Sequence, residues 1–308
     1  MRQILLVLPA AALLSACGGD SELPPMVGAG AADNPRAEAL FQEAKAADDA
    51  GKSGKAIKIY DEIADEIPYA DRAPEARFRQ AQLLEQEGET LDAFEAYQDL
   101  LTKRQGSGFY KQAFDRQSSM AFAAADGQIR NSFLGLKSKL SVNKMTEMLS
   151  QVAGNAPRSP VAAKAGYRIG EIYASDGETA KAVRAYQAVV ENYPTSPEAP
   201  EAQFRIGEIL LEEARDGNQD QANLARAKEA FEDYLSQFPG HKRAGEARQK
   251  ISNIGGRDLQ NTYEIGQFYE KKGDIGSAKY YYQEVVRKTK SGELHDKAQA
   301  RLSALGGN

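Results

Sequence analysis

Apolar residues recur along most of the chain at the three- and four-residue spacing of an α-helix, with polar residues between them. The clearest stretch places six such residues on one continuous helix face: Ala182, Val183, Tyr186, Val189, Val190 and Tyr193. Proline is sparse at 12 residues, tryptophan is absent, and alanine and glutamate are abundant. The pattern predicts an all-α protein built from amphipathic helices.

The predicted helices come in pairs that repeat with a period of about 34 residues. The clearest pair spans residues 163–196, and Pro194 marks its end. Small, apolar and aromatic residues stand at fixed positions in its two helices: Tyr167, Ile169, Gly170, Tyr173, Ala182, Tyr186 and Val189. We expect Gly170 and Ala182 to face each other where the helices cross, because larger side chains would separate the axes. This is the tetratricopeptide pattern.

Four further units match the pattern, at residues 37–68, 74–106, 200–239 and 259–290. In the third of these, about eight extra residues, 216–223, are expected to lengthen the turn. Repeated helix pairs stack on one another and bury a continuous core. We therefore predict that residues 36–308 form one tetratricopeptide solenoid of five to six helix pairs.

Residues 107–160 have poorer periodicity but still contain two amphipathic stretches, 109–125 and 142–153, which we interpret as a degenerate sixth unit. The connector between them, residues 127–141, contains Phe133, Leu134 and Leu136. Apolar residues in a connector either cover an edge of the array or bind a partner. The first interpretation is favoured and the second stays open.

The N-terminus carries the signals of a secreted lipoprotein. Arg2 precedes an apolar stretch, residues 4–16, which is shorter than the roughly 20 residues that a membrane-spanning helix needs. The stretch ends in Leu14-Ser15-Ala16-Cys17, which resembles the bacterial lipobox. We predict a signal peptide at residues 1–16, acylation of Cys17 and a Gly- and Pro-rich tether over residues 17–35. The alternative is an ordinary signal peptide with an incidental cysteine.

Charge and chemistry exclude several classes of function. The formal net charge of −5 is spread with both signs interleaved, so no basic stripe for nucleic acid exists. Cys17 is the only cysteine, which rules out an internal disulfide. His241 and His295 are the only histidines, and neither has a second imidazole within helical reach or stands in a nucleophile motif. We predict no enzymatic activity, no metal site and no cofactor.

One aromatic residue recurs at the same position of the first helix in every good unit: Phe41, Phe78, Tyr167, Phe204 and Tyr263. The favoured interpretation is that these rings pack against the neighbouring unit and bury apolar area. The other is that the rings face the groove of the solenoid and grip peptide segments of client proteins. On that second interpretation, Phe41, Phe78, Tyr167 and Phe204 form a client groove.

Two stretches of the chain resemble the BamD/YfiO family of outer-membrane lipoproteins, which serves β-barrel assembly. They are residues 258–286, with Gly266, Gly273, Ala278 and Tyr282, and residues 192–208, NYPTSPEAPEAQFRIGE. The resemblance implies an outer-membrane lipoprotein that faces the periplasm and helps to fold and insert β-barrel proteins. It also implies that late repeats, with Tyr263, Phe268 and Tyr269, bind the POTRA part of a barrel subunit. Early repeats, with Phe41 and Phe78, would receive unfolded barrel clients.

Two other functions compete with this one. The protein could be a different periplasmic tetratricopeptide adaptor that coordinates cell-envelope synthesis or division. A lipoprotein hydrolase is a remote alternative, because no nucleophile–base pair stands out in the sequence.

Overall fold

The computed structural model describes residues 33–133, 136–216 and 220–306. Within these ranges the chain forms thirteen α-helices and one β-hairpin. Their bounds are α1 Pro35–Asp49, α2 Ser53–Glu66, α3 Ala73–Glu87, α4 Thr90–Lys103, α5 Tyr110–Ala125, β1 Arg130–Phe133, β2 Leu136–Lys139, α6 Val142–Asn155, α7 Pro160–Ser175, α8 Thr179–Asn192, α9 Glu198–Asp216, α10 Asp220–Gln237, α11 Ala244–Lys271, α12 Ile275–Lys288 and α13 Glu293–Ala304.

The helices form six consecutive pairs, from α1–α2 to α11–α12, and α13 packs against the last pair. We call these pairs units 1 to 6. The predicted all-α tetratricopeptide solenoid is confirmed, and the irregular segment does form a pair, α5 and α6. The first helix starts at Pro35, where Asn34 accepts a hydrogen bond from the backbone N–H of Ala37, 3.0 Å away. Sharp turns join the helices of a unit; Gly177, for example, has φ +79° after α7.

Each of three units packs a glycine of its first helix against an aromatic ring of its second helix. A Cβ atom on Gly170 would lie 2.5 Å from Cε1 of Tyr186, and one on Gly207 would lie 2.7 Å from Cε1 of Phe231. No real side chain tolerates such a distance. The ring of Tyr186, and not Ala182 as the sequence suggested, is therefore the neighbour that requires glycine at position 170.

Two local features differ from the sequence prediction. The connector after α5 contains an antiparallel hairpin, in which Arg130 pairs with Lys139 and Phe133 with Leu136. Leu134 lies outside the described residues, so the roles predicted for the apolar connector residues stay predictions. In unit 5 the extra residues lengthen the helices more than the turn, because α9 extends to Asp216 and α10 begins at Asp220.

Helix α11 is longer than predicted. It runs without a break for 28 residues, whereas the sequence placed the start of unit 6 at Leu259. Its early part packs into the core of unit 5 through Ile254, and its later part packs into the C-terminal core through Tyr263. A single helix thus connects unit 6 to the rest of the array.

A buried arginine joins units 1 and 2. The side chain of Arg77 in α3 is only 6% exposed, and its guanidinium donates to Asp61 at 2.7 Å, to Asp99 at 2.9 Å and also to Asp65. These carboxylates belong to α2 and α4. The guanidinium therefore holds three helices together at the junction.

Candidate protein-binding surfaces

The recurrent aromatic rings of the first helices lie inside the units. Each contacts a ring of the second helix of its own unit, and the centroid separations are 5.5 Å for Phe41–Tyr60, 5.9 Å for Phe78–Tyr97, 5.3 Å for Tyr167–Tyr186, 5.1 Å for Phe204–Phe231 and 5.3 Å for Tyr263–Tyr282. Four of the five are at most 7% exposed, and Tyr167 is half-buried. Rings in this position mainly stabilise the repeat.

The packing of these rings differs from both interpretations of the recurrent aromatic residues. The rings pack within their own unit rather than chiefly against the neighbouring one, although Phe78 also stacks on Phe109 of unit 3 at 5.1 Å. Phe41 and Phe204 offer almost no free surface to a client. Burial therefore disfavours them as client-gripping residues, and Tyr167 keeps the largest accessible surface of the predicted client groove.

Arginines from the following unit cover two of these rings. The guanidinium carbon of Arg72 lies 4.7 Å from the centroid of Phe41, and that of Arg243 lies 3.4 Å from the centroid of Phe204. Arg243 also donates to Glu246 and to Glu208, both at 2.9 Å. Burial alone would lower the pKa of Arg243, but these carboxylates raise it above the ordinary arginine value.

We expect Arg243→Lys to lower the free energy of unfolding by about 1 kcal/mol, because an ammonium group cannot stack on Phe204 and bind two carboxylates at once. Chemical denaturation measures the change. The matched control is Lys242→Arg, since Lys242 is 74% exposed and pairs, among the described residues, with Glu201 alone. Equal losses in both variants would contradict a specific role for the stacked guanidinium.

An exposed group of aromatic side chains lies on unit 6. We call it the C-terminal aromatic surface and define it by Phe268, Tyr269, Tyr280 and Tyr281. Phe268 and Tyr280 are 58% and 59% exposed, in contrast to the buried rings of the first-helix series. Neighbouring rings touch one another, with Tyr269 stacked on Tyr281 at 5.6 Å. Adjacent exposed aromatics are typical of the centre of a protein interface.

Two members of this surface, Phe268 and Tyr269, were predicted from the family resemblance, and the predicted Tyr263 lies beneath it in the core. Sequence reasoning missed Tyr280 and Tyr281. A signal existed, because three tyrosines in a row on a helix cannot all face the core once Tyr282 occupies it.

A cavity of about 600 Å³ opens between α3 and α5, the first helices of units 2 and 3. Its lining includes Phe78, Gln82 and Glu85 from one helix and Gln112, Arg116 and Met120 from the other. A cleft of mixed polar and apolar side chains between repeats accommodates a peptide segment. This cavity lies in the early part of the array.

The histidines and acidic side chains of the described ranges do not gather into a metal-ligand group. These ranges contain no group of three or more His, Cys, Asp or Glu side chains placed to hold a metal ion. His241 binds the hydroxyl of Tyr234 at 2.6 Å, and His295 binds that of Thr289 at 3.0 Å. None of the helices in these ranges is long and apolar enough to cross a membrane. Cys17 lies outside the described residues.

Comparison with known protein structures returns tetratricopeptide proteins of low identity. MamA of Desulfovibrio magneticus RS-1, from its residue 41 to the end, is 17% identical; the match covers 68% of this chain and 99% of that chain, with a TM-score of 0.30. The C-terminal part of a tetratricopeptide-repeat protein from Cytophaga hutchinsonii is 12% identical, with 85% and 87% covered and a TM-score of 0.35. PilF of Pseudomonas aeruginosa is 11% identical, with 86% and 97% covered and a TM-score of 0.29. None of the curated proteins matches the chain.

Family models identify the chain more specifically. A tetratricopeptide-repeat model matches residues 41–108, which are units 1 and 2. The model of YfiO, described as outer membrane lipoprotein, matches residues 136–303, which run from the second hairpin strand to α13. That match covers more than half of the chain and includes the C-terminal aromatic surface. The chain belongs to the YfiO family of outer membrane lipoproteins and is built as a tetratricopeptide-type protein-binding scaffold.

Proposed function

We propose that this chain is a non-catalytic scaffold lipoprotein that binds partner and client proteins during assembly and insertion of outer-membrane β-barrels. The observation that carries the proposal is the C-terminal aromatic surface, which lies within the part of the chain that matches the YfiO family. The array buries its other repeated rings, so aromatic side chains left in solvent on unit 6 need a reason outside the fold. A protein partner supplies that reason.

The partner proposed for this surface is the periplasmic POTRA part of a barrel subunit, as the family resemblance implies. Phe268 and Tyr280 act as anchors that insert into apolar pockets, while Tyr269 and Tyr281 support them by ring contacts. Lys272 lies 5.7 Å from the centroid of Phe268 and gives the rim a positive charge. Acidic residues around the partner's pocket would complement it.

Unfolded barrel clients are proposed to bind the early units. The cavity between α3 and α5 provides the concave surface, and the small exposed parts of Phe78 and Met120, which are 6% and 5% exposed, supply its apolar contacts. The other predicted client residues, Phe41, Tyr167 and Phe204, do not line this cavity.

A double variant, Phe268→Ala with Tyr280→Ala, tests the partner surface. Both side chains are mostly in solvent, so the fold should keep its melting temperature. We expect recovery of the barrel subunit with the purified protein to fall about tenfold or more. Tyr69→Ala is the matched control, because Tyr69 is 48% exposed but lies between units 1 and 2. Undiminished recovery with the double variant would refute the proposed surface.

Membrane attachment is proposed to occur through a lipid on Cys17, with residues 18–35 as the tether to the outer membrane. We expect Cys17→Ser to leave the solenoid folded and to move the protein from the membrane fraction to the soluble periplasmic fraction, because a Ser hydroxyl cannot carry the thioether-linked lipid. Fractionation followed by immunoblotting shows the distribution. A variant that stays with membranes would contradict lipid anchoring.

A further inference from the structure

Three junctions of the array, those after units 1, 2 and 6, share an ion pair. An acidic residue near the end of one unit's first helix binds an arginine 31 residues later, on the helix that follows that unit. The pairs are Asp48–Arg79 at 2.6 Å, Glu85–Arg116 at 3.2 Å and Glu270–Arg301 at 3.0 Å to the arginine Nε. At these three junctions the protein itself thus supplies the carboxylate that binds the arginine.

The same carboxylates also meet a tyrosine of their own unit. Tyr97 donates its hydroxyl hydrogen to Glu85 at 3.2 Å, and Tyr282 donates to Glu270 at 2.7 Å, each over 12 residues. In unit 1, burial and the nearby Asp48 carboxylate raise the pKa of Tyr60 to about 12. A tyrosine from the second helix and an arginine from the next unit therefore bind one carboxylate between them.

Unit 4 has the tyrosine and the arginine but lacks the carboxylate. Tyr186 and Arg205 stand at the equivalent offsets, and the residue that should carry the acid is Ala174. Tyr186 is 0% exposed, and its hydroxyl lies beside the guanidinium of Arg205. Because a guanidinium only donates, the hydroxyl hydrogen of Tyr186 has no acceptor within the described part of the chain. A buried donor without an acceptor is unfavourable and uncommon in folded proteins.

Arg205 also has one side free for a carboxylate. One of its nitrogens binds Glu208 on its own helix at 2.9 Å, as Arg79 binds Gln82 at 3.0 Å. Arg79 uses its remaining nitrogens for Asp48, whereas Arg205 has no second carboxylate among the described residues. Glu208 is the main cause of the raised pKa of Arg205, and the adjacent Tyr186 hydroxyl adds to it.

The nearest carboxylates of the protein do not occupy this place. Glu171, one turn before Ala174, binds Arg168 at 2.8 Å. Asp176 directly follows α7, as Asp126 directly follows α5. Asp126 binds Arg168 at 2.5 Å, whereas Asp176 is exposed and forms no ion pair within the described ranges. Ala174 itself has no polar side-chain atom that could replace the missing carboxylate.

We propose that the junction of units 4 and 5 binds a carboxylate of a partner protein, which takes the place that Glu85 and Glu270 hold in their own junctions. The Tyr186 hydroxyl donates one hydrogen bond to it, and the free side of Arg205 donates the others. Either an Asp or Glu side chain or the free C-terminus of a polypeptide has this chemistry. The proposal does not depend on a role in barrel assembly.

Nuclear magnetic resonance of the Arg205 Nε–Hε group tests the proposal with three probes. They are the peptides acetyl-Gly-Glu-Gly-amide, acetyl-Gly-Gln-Gly-amide and acetyl-Gly-Gly-Gly with a free C-terminus. We expect the resonance to shift with the glutamate peptide or the free C-terminus, which identifies the source, and not with the glutamine peptide. The affinity, measured in both proteins from the backbone amide resonances around Ala174, should fall about tenfold or more in Arg205→Gln. Absence of a shift with both carboxylate probes would overturn the proposal.

One substitution should fill the proposed site, and another should create an equivalent site in unit 2. Ala174→Glu supplies the missing carboxylate, so it should abolish the peptide response and raise the melting temperature by about 2 °C, whereas Ala174→Gln should not raise it. Glu85→Ala removes the internal carboxylate from unit 2 and should make Arg116 respond to the same peptides. A stability loss in Asp176→Asn as large as that in Asp126→Asn would show that Asp176 already fills the site, and would refute the proposal.

Discussion

Replacing Gly266 by leucine is expected to lower the free energy of unfolding by about 3 kcal/mol. A Cβ atom at this position would lie 2.8 Å from Cε1 of Tyr282. That ring cannot move aside, because it is 0% exposed, packs on Tyr263 and donates its hydroxyl hydrogen to Glu270. The two helices of unit 6 would have to separate. Hydrogen exchange of α11 to α13, together with chemical denaturation, measures the loss.

The matched control is Gly255→Ala in the same helix. A Cβ atom on Gly255 would meet nothing within 4 Å, so only backbone propensity changes. Alanine in a helix interior is more favourable than glycine by about 1 kcal/mol, and this variant should therefore be more stable than the natural protein. A loss of stability similar in both variants would mean that the close approach of Gly266 to Tyr282 does not limit packing.

The second large effect is expected at Arg77. We expect Arg77→Leu to lower the free energy of unfolding by about 3 kcal/mol, because removing one member of a buried charge cluster leaves the other members uncompensated. Asp99 is affected most, since its side chain is only 18% exposed. Burial would raise the pKa of Asp99, and Lys103, Arg77 and Arg104 together hold it below the ordinary value. Chemical denaturation measures the loss.

Arg36→Leu is the control for charge alone. Arg36 also binds two carboxylates, Glu62 at 3.0 Å and Glu66 at 2.9 Å, but its side chain is 62% exposed. Exposed ion pairs of this kind contribute little to stability, so this variant should unfold almost like the natural protein. If Arg77→Leu lost no more stability than Arg36→Leu, the buried cluster would not be what joins units 1 and 2.

Much of the fold could be predicted from the sequence, because each unit repeats the same physical requirement. A glycine opposite a ring, as in Gly170 and Tyr186, needs both residues at fixed positions, and that spacing is visible without a structure. Even the degenerate unit was recognisable, since an apolar stripe at helical spacing persists in α5 and α6. The repeat period then determines which helices pair.

The features that were missed depend on small energy differences or on contacts far along the sequence. Gly255 and Gly256 suggest a helix end, yet α11 continues through them, because each glycine costs only about 1 kcal/mol and no proline interrupts the hydrogen bonds. Residues 127–141 have neither helical nor strand periodicity, so their sequence does not predict the hairpin. Helix α13 does have a stripe, Leu294, Ala298 and Leu302, which covers the last unit.

The candidate site was predictable only in part. The position of an aromatic residue in a repeat does not show which side of the ring faces the core, and the structure places the recurrent rings inside their units. Tyr280 and Phe268 each stand two residues from a buried neighbour, Tyr282 and Gly266, so their exposure depends on the exact rotation of α12 and α11. The contact of Gly266 with the Tyr282 ring, which joins the two helices, constrains that rotation.

The most direct test of the account is photo-crosslinking in the native bacterium, with a photoreactive amino acid at position 268 and, as a control, at position 69. We expect position 268 to crosslink to a POTRA-containing outer-membrane barrel subunit, position 69 not to do so, and Tyr280→Ala to weaken the crosslink. Products that contain only peptidoglycan-associated or division proteins would contradict this expectation and would identify a different envelope adaptor.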